Sequence, residues 1–221
     1  MINFRLWQVN REYKRVIEKL NQQIQENAER GLKVVKVTDG DTFMLEGGVR
    51  VRLADVNAPE LEFCLGQEAK KRLEELVLDK PVQLPFTRPD KFGRLIALIY
   101  QGDVWVNQVM LTEGLGRYDS TQTIKEKDQQ LLAATHQAKK EKRGVYSSRC
   151  SQKEPPNPKC PIKGNIDKKR GKRIYHFPGC AGYNVVVIEL DRGEQWFCSE
   201  KEAQAAGFIK SEQCYGKKWQ P

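Results

Sequence analysis

The chain has 221 residues and a formal net charge of +9, and 39% of its residues are apolar while 30% are charged. This length fits one domain with a sizeable core together with a smaller unit. No apolar run approaches the roughly 18 residues that a membrane-spanning helix needs, so the sequence predicts no span within this chain. The positive charge favours a polyanionic partner.

The N-terminal part carries one narrow apolar stripe. Its members are Tyr13, Val16, Ile17, Leu20 and Ile24. Their spacing of three and four residues predicts an amphipathic helix over 8–30, which we treat as a separate element, residues 1–30. We expect this helix to pack on its own domain; a self-associating helix and a stalk are the alternatives.

From Leu32 the apolar period changes to two, with Val35 and Val37 predicted to share one face of a strand. Turn signals at Asp39-Gly40 and Gly47-Gly48 divide this region into a three-strand meander. The patterns that follow predict strands at 42–45, 49–53, 82–87 and 95–100 and helices at 66–79, 104–111 and 122–142. Five short strands with a helix between the third and fourth match the OB-fold, a five-stranded Greek-key barrel. We therefore predict an α+β, mainly β fold in which residues 31–148 form an OB-fold barrel with three helices.

The C-terminal third is predicted to contain a linker and a small α+β module. Residues 149–172 lack periodicity and contain four prolines among many basic side chains, which is typical of a linker. Residues 173–221 are assigned to the module, with strands at 173–177 and 185–190 and a helix at 199–206. Ser199 is the predicted N-cap of that helix, and Glu202 completes a capping box.

Candidate chemical residues cluster where the predicted barrel strands begin and end. Asp41, Asn57 and Glu60 can supply oxygen ligands for a hard cation and a base for water. Arg52 and Arg94 can supply two guanidinium forks for phosphate oxygens. Taken singly, each residue could equally form a turn or a solvated surface charge. The combination predicts a site for phosphodiester cleavage.

The sequence resembles the staphylococcal-nuclease-like, or thermonuclease, family. The matching pieces are Val37-Thr38-Asp39-Gly40-Asp41-Thr42, Arg52-Leu53, Pro59-Glu60, Gly66-Gln67-Glu68-Ala69, Asp90-Lys91-Phe92-Gly93-Arg94 and 140–145. The resemblance implies an OB-fold, Ca²⁺-dependent endonuclease that acts on DNA and RNA and leaves 3′-phosphate ends. It implies a metal ligand at Asp41, a water-positioning residue at Glu60 and phosphate-binding residues at Arg52 and Arg94. Lys91 and Tyr118 are expected to line the nucleotide site.

One residue departs from the family pattern. Where the family usually has a second metal-binding Asp, this chain has Asn57, so one formal negative charge is lost and weaker Ca²⁺ binding is expected. Asp55 has the same strand parity and is a candidate to compensate. An OB-fold module that binds nucleic acid with weakened catalysis is the alternative function. The basic cluster of Lys168, Lys169 and Arg170 is predicted to follow nucleic-acid phosphates, or else to be part of a spacer.

Six cysteines allow three disulfides in an oxidising compartment. The resemblance to secreted members implies a Cys64–Cys150 pair, and the tail resembles a small C-terminal module of bacterial members. In an exported protein we prefer the pairs Cys180–Cys214 and Cys160–Cys198. In a reducing compartment His176 with Cys180, Cys198 and Cys214 would instead bind zinc. We favour export with the leader absent from this chain, with a cytoplasmic location as the alternative, and we expect a monomer.

Overall fold

The protein is described from a computed structural model that covers residues 31–122, 128–167 and 171–219. The predicted N-terminal helix over 8–30 lies outside these residues, as does the predicted phosphate-contacting cluster of Lys168, Lys169 and Arg170. Both remain predictions. No helix within the described ranges combines the length and the apolar character that a membrane crossing requires.

Four antiparallel pairings and one parallel pairing between strands close the main barrel. The strands up to residue 118 are β1 Leu32–Val37, β2 Thr42–Leu45, β3 Arg50–Leu53, β4 Val56–Asn57, β5 Pro81–Pro89, β6 Leu95–Gln101, β7 Val104–Trp105 and β8 Arg117–Tyr118. Neighbouring strands follow the order β3-β2-β1-β5-β6, and a parallel β3–β6 pairing closes the ring. This closed five-stranded barrel confirms the predicted OB-fold. The pair β4 and β8 forms a separate two-stranded ladder that we did not predict.

Alternating side chains fill the barrel, with one local exception in β1. The register of β1 against β2 shifts between Val34 and Lys36. Val34 is consequently fully buried, whereas Val35 is 43% exposed. The predicted pairing of Val35 with Val37 on one face is therefore wrong, because a bulge places an extra residue between the two inward positions.

Helices pack against the barrel and share its hydrophobic core. They are α1 Gly66–Val77, α2 Val106–Thr112 and α3 Asp128–Lys140. In α1 the buried residues are Ala69, Leu73 and Val77, which lie on one face at helical spacing. The sequence predicted each of these helices, and the ends that can be compared within the described residues differ by at most two residues.

The C-terminal module begins earlier than predicted. The remaining elements are β9 Ser151–Gln152, β10 Ile162–Ile166, β11 Arg173–His176, β12 Ile188–Glu189, β13 Gln195–Phe197, α4 Glu200–Ala205 and β14 Ile209–Lys210. The module sheet has the order β13-β10-β11-β14. The interpretation of 149–172 as a structureless linker is wrong, because β9 and β10 lie within it and β10 occupies the middle of this sheet.

Two further predictions for the module have different outcomes. The predicted strand at 185–190 is mostly wrong: 3₁₀ turns at Tyr183–Val185 and Leu190–Arg192 flank the two-residue β12. The predicted N-cap is confirmed, since the Ser199 hydroxyl accepts a hydrogen bond from the Glu202 N–H at 3.2 Å. The Glu202 carboxylate accepts from the Cys198 N–H at 2.8 Å, one residue before the position that the capping-box pattern predicts.

All six cysteines form disulfides. The pairs are Cys64–Cys150, Cys160–Cys198 and Cys180–Cys214, as we predicted for an oxidising compartment. The zinc alternative at His176 finds no support in the structure, because the three cysteines that it requires form disulfides and supply no thiolate.

The Cys64–Cys150 bridge is expected to matter for both stability and activity. It closes a loop of sequence separation 86 and joins the segment after Glu60 to the end of the barrel domain. Replacing both cysteines by Ala is expected to lower the free energy of unfolding by about 2 to 4 kcal/mol. The activity that the resemblance implies is expected to fall as well below the unfolding transition, because the Glu60 loop loses its tether. Urea unfolding and an activity assay on the same sample measure the two effects.

The double variant Cys160→Ala with Cys198→Ala is the matched control, because that bridge lies within the C-terminal module. It is expected to lose stability while its specific activity stays near that of the wild type. Equal loss of activity in both double variants would contradict a specific role for the Cys64–Cys150 bridge.

Candidate active site

Asp41 is placed at the barrel rim by a tight turn. Its backbone N–H donates to the Asp39 carboxylate at 3.0 Å, which is the Asx type of turn. At Gly40 an added Cβ would lie 2.6 Å from the Cβ atoms of both Ala58 and Ala69. The turn therefore needs glycine because it packs directly against the segment after β4 and against α1. Asp41 itself is only 3% exposed.

The Asp41 carboxylate is bound on both oxygens. Oδ1 accepts hydrogen bonds from the Thr42 hydroxyl at 2.8 Å and from Arg52 Nη1, and Oδ2 accepts from the Ala58 N–H at 2.9 Å. Burial nevertheless raises the pKa of Asp41 to about 7, since desolvation and the nearby Asp39 outweigh the Arg52 charge and the hydrogen bonds. The site thus disfavours an isolated negative charge and is suited to a carboxylate that shares a cation.

Arg52 draws the two predicted metal ligands together. Its Nη1 contacts Asp41, while its Nη2 donates to the Asn57 side-chain oxygen at 2.8 Å and approaches the Val56 carbonyl at 3.4 Å. Carboxylate, amide and carbonyl oxygens therefore converge on one guanidinium group. The structure brings Asp41, Arg52 and Asn57 into one hydrogen-bonded group.

Asp55 does not take the place that strand parity suggested. The chain leaves β3 at Leu53 and enters β4 at Val56, so the strand is not continuous between Arg52 and Asn57. Asp55 lies in that break, fully buried and with a left-handed φ of 61°. The proposed compensation by Asp55 is wrong in its premise, because parity holds only along an unbroken strand.

Glu60 lies on an exposed loop that is fixed at its backbone. The Glu60 carbonyl accepts from the Phe63 N–H at 2.9 Å, and the Phe63 carbonyl accepts from the Gly66 N–H at 3.0 Å. A Cβ at Gly66 would lie 1.9 Å from the Glu60 carbonyl oxygen, so only glycine fits at the start of α1. The loop fixes the Glu60 backbone and leaves its carboxylate open to solvent.

Arg94 is held in the turn between β5 and β6. Its Nε donates to the Asp90 carboxylate at 2.8 Å, and its backbone N–H donates to the same carboxylate at 2.9 Å. Burial opposes ionisation of Asp90, but these hydrogen bonds, that from the Phe92 N–H and the Arg94 charge hold its pKa below the usual value. Lys91 Nζ and the Arg94 guanidinium lie 5.0 and 5.5 Å from the centre of the Phe92 ring, which is 61% exposed. The turn that precedes β6 thus carries two basic side chains next to an exposed aromatic ring.

Tyr118 is placed by the ladder that carries Asn57. In β8 it pairs with Val56, while its neighbour Arg117 pairs with Asn57. The Tyr118 ring is partly buried against the barrel core. Arg117 is a residue that the sequence analysis missed, because its ion-pair partners lie more than 70 positions away and no local pattern marks them.

The ligand chemistry of this group fits a hard divalent cation. Within 31–122, 128–167 and 171–219, no cluster of three or more His, Cys, Asp or Glu side chains is arranged to hold a metal. The available set is instead one carboxylate, Asp41, with the amide oxygen of Asn57 and neighbouring carbonyls, all of them oxygens of the kind that Ca²⁺ prefers. The single formal charge in this set predicts weak rather than tight binding.

Comparisons with known proteins agree with the fold. Residues 50–148 match the family model described as "Staphylococcal nuclease homologue". An "Uncharacterized endonuclease" of Haemophilus influenzae is 37% identical over 87 residues, which are 38% of this chain and 49% of that protein. A "Micrococcal nuclease" of Shigella flexneri is 29% identical over 130 residues, covering 52% of this chain and 72% of that protein.

A second "Uncharacterized endonuclease", from Escherichia coli O157:H7, is 32% identical over 120 residues, covering 52% of this chain and 76% of that protein. The matches with these relatives cover between about half and three quarters of their lengths. The fold and these relatives together assign the chain to the nuclease class of hydrolases. Within that class, the chain belongs to the staphylococcal nuclease family.

Proposed function

We propose that the protein is a Ca²⁺-dependent endonuclease that hydrolyses phosphodiester bonds of DNA and RNA and leaves 3′-phosphate ends. The observation that carries this proposal is the convergence of Asp41 and Asn57 on Arg52 at the barrel rim, in a chain of this family. Family membership supports the reaction class, and the oxygen ligand set supports the choice of cation.

Asp41 and Asn57 would hold the cation through their side-chain oxygens. A bound Ca²⁺ would neutralise part of the charge on the scissile phosphate. Arg52 donates one hydrogen bond from each of its two Nη groups to these ligand oxygens, so its positive charge lies between them. In the complex with cation and substrate, this guanidinium would release the two ligand oxygens and donate to phosphate oxygens as a fork, which is the geometry that arginine provides.

Glu60 and Arg94 complete the chemistry. The exposed carboxylate of Glu60 orients the attacking water and accepts its proton. Arg94 uses Nε on Asp90, and this leaves its Nη groups for the phosphate as negative charge accumulates in the transition state. Lys91 and Tyr118 would line the nucleotide site.

The direct test is digestion of plasmid DNA and of RNA by the purified full-length chain at increasing Ca²⁺, with a chelator as the control. We expect internal cuts that depend on Ca²⁺, and end-group analysis that finds 3′-phosphates. Intact substrates at high Ca²⁺, together with retained nucleic-acid binding, would instead support the alternative of a binding module with weakened catalysis. Asn57 is the observation that favours this alternative, because it removes one charge from the ligand set.

Replacing Asn57 by Asp is expected to strengthen Ca²⁺ binding about tenfold, because affinity at such sites follows the number of charged ligands. The added carboxylate would lie beside Arg52, 2.8 Å from its Nη2, so the guanidinium compensates part of the repulsion from Asp41. Calorimetric titration of Ca²⁺ without nucleic acid measures the change, and the Ca²⁺ dependence of cleavage should shift in parallel.

Asn157→Asp is the matched control, since it makes the same chemical change at an exposed position before β10. Its Ca²⁺ affinity should equal that of the wild type. If Asn57→Asp also leaves the affinity unchanged, Asn57 is not part of the metal site.

We further propose that the protein works in an oxidising compartment outside the cytoplasm. Three disulfides support this location, because thiols stay reduced in most cytoplasms. Cell fractionation that finds the active protein in the cytoplasm, with reactive thiols, would contradict it.

A further inference from the structure

A short segment of the C-terminal module, residues 188–193, contacts the barrel beside the candidate active site. We propose that this segment is a positioning element that holds the Asn57 strand and the Glu60 loop in place, and that Arg117 is the positioning residue through which it acts. This inference rests on the proposed function, because it assigns a role in the same site.

The first contact is a buried ion-pair group centred on Arg117. Its Nε and Nη2 donate to the two carboxylate oxygens of Asp191 at 2.6 and 2.8 Å, and its Nη1 lies 3.1 Å from Glu189 Oε1. The Arg117 side chain is 13% exposed and that of Asp191 only 2%. The Tyr146 ring lies below the guanidinium, 5.0 Å from its centre. The fork of Arg117 is thus fixed on both edges and on one face.

Because burying these charges costs desolvation free energy, we expect the group to fix the positions of its elements more than to stabilise the fold. Removing each charge from water carries a desolvation cost, and a buried pair often contributes no net stability compared with apolar residues. A bidentate pair does, however, fix distance and angle between the elements that carry it. Here it fixes β8 relative to the segment 188–193.

The ladder between β8 and β4 carries this constraint to the metal site. Asn57 is the cross-strand partner of Arg117, and the ladder has only one further pair, Val56 with Tyr118. Two pairs alone make a weak ladder. The two strands also pack closely next to this ladder, because a Cβ at Gly116 would lie 2.7 Å from a methyl group of Val56. The position of Asn57 therefore depends on a strand whose own position the C-terminal module sets.

The second contact lies on the Glu60 loop. The Phe63 ring covers Gly193, where an added Cβ would lie 2.7 Å from the tip of the ring. The Leu190 N–H donates to the Cys150 carbonyl at 2.8 Å, and Cys150 is bridged to Cys64 of the same loop. One six-residue segment thus contacts the Glu60 loop directly and the Asn57 strand through its ladder partner β8.

The test uses Arg117→Lys and Asp191→Asn in the full-length chain. Both changes keep side-chain size while they remove the bidentate fork. Hydrogen exchange of the Ala58 amide is the first readout, because that N–H donates to Asp41 across the site. We expect faster exchange at 56–58, about tenfold weaker Ca²⁺ binding by calorimetry without nucleic acid, and lower kcat with unchanged KM.

Two controls separate positioning from general destabilisation. Arg72→Lys breaks a similar bidentate pair with Glu113, at 2.8 and 2.9 Å on the surface of α1. Gln152→Ala removes the 2.8 Å hydrogen bond that the Trp196 indole donates, a contact between β9 and β13 within the module. Both variants should keep wild-type exchange at 56–58 and wild-type Ca²⁺ affinity.

Each outcome decides the inference. Wild-type exchange at 56–58 in folded Arg117→Lys would overturn it, as would faster exchange with unchanged Ca²⁺ affinity and kcat. If the wild type neither binds Ca²⁺ nor cleaves, the proposed function fails, and the exchange readout still decides whether Ile188–Gly193 holds the strand. If the single variants do not fold, Arg117→Met with Asp191→Leu removes both members of the bidentate pair together, while Glu189 keeps its ion pair with Arg192, and is measured in the same way.

Discussion

Replacing Glu60 by Gln is expected to lower kcat about 10²- to 10⁴-fold at saturating Ca²⁺, which is the range for loss of a general base. Gln keeps the size of the side chain and one oxygen but cannot accept a proton from water at neutral pH. The Glu60 side chain is exposed, and its loop is fixed through the Phe63 and Gly66 backbone, so the substitution should leave the fold intact. Steady-state cleavage of a short oligonucleotide gives kcat and KM separately.

Glu62→Gln provides the matched control for this experiment. Glu62 is exposed on the same loop, two residues beyond Glu60, and the change in charge is the same. We expect its kcat to stay within about twofold of the wild type, as is usual for surface substitutions. A Glu60→Gln variant that keeps half of the wild-type kcat would show that another group activates the water.

Local patterns in the sequence were sufficient for most of the barrel. Turn signals at Asp39-Gly40 and Gly47-Gly48 predict strand boundaries because the backbone conformation at a turn depends on the turn residues themselves. Strand β10 was missed for a physical reason. Lys163, the second residue of the strand, is 2% exposed, and its Nζ donates to the Tyr183 and Val186 carbonyls at 3.1 and 2.8 Å. A buried lysine reads as a solvated one in any hydrophobicity pattern.

The candidate site was predicted in its residues but not in its connections. Motifs identified Asp41, Arg52 and Asn57, and the structure adds that Arg52 bonds both of the other two. The link from Arg117 to Asp191 spans 74 positions and joins two units of the fold. No periodicity in the sequence reports such a contact, because it depends on how separate elements pack. The role of the C-terminal module could therefore be inferred only from three-dimensional contacts.

Replacing Arg94 by Lys is expected to lower kcat about 10²- to 10³-fold, as for the loss of one aligned donor to a developing negative charge. Lys keeps the charge, but it loses the planar fork that lets Nε bind Asp90 while the Nη groups face the phosphate. KM should change little, because the interaction strengthens in the transition state more than in the bound substrate. The same oligonucleotide assay measures both constants.

Arg88→Lys is the control for the loss of a guanidinium group near this turn. Arg88 lies on β5, where it pairs with Ile96 of β6, and its Nη2 lies 3.4 Å from the Thr121 carbonyl. Its removal should change kcat less than about threefold, since surface substitutions away from the chemistry have small effects. If Arg94→Lys and Arg88→Lys lose activity equally, the Asp90-held fork of Arg94 has no specific role in the transition state. A large loss in kcat confined to Arg94→Lys would mean that the Asp90-held fork acts on the reacting phosphate.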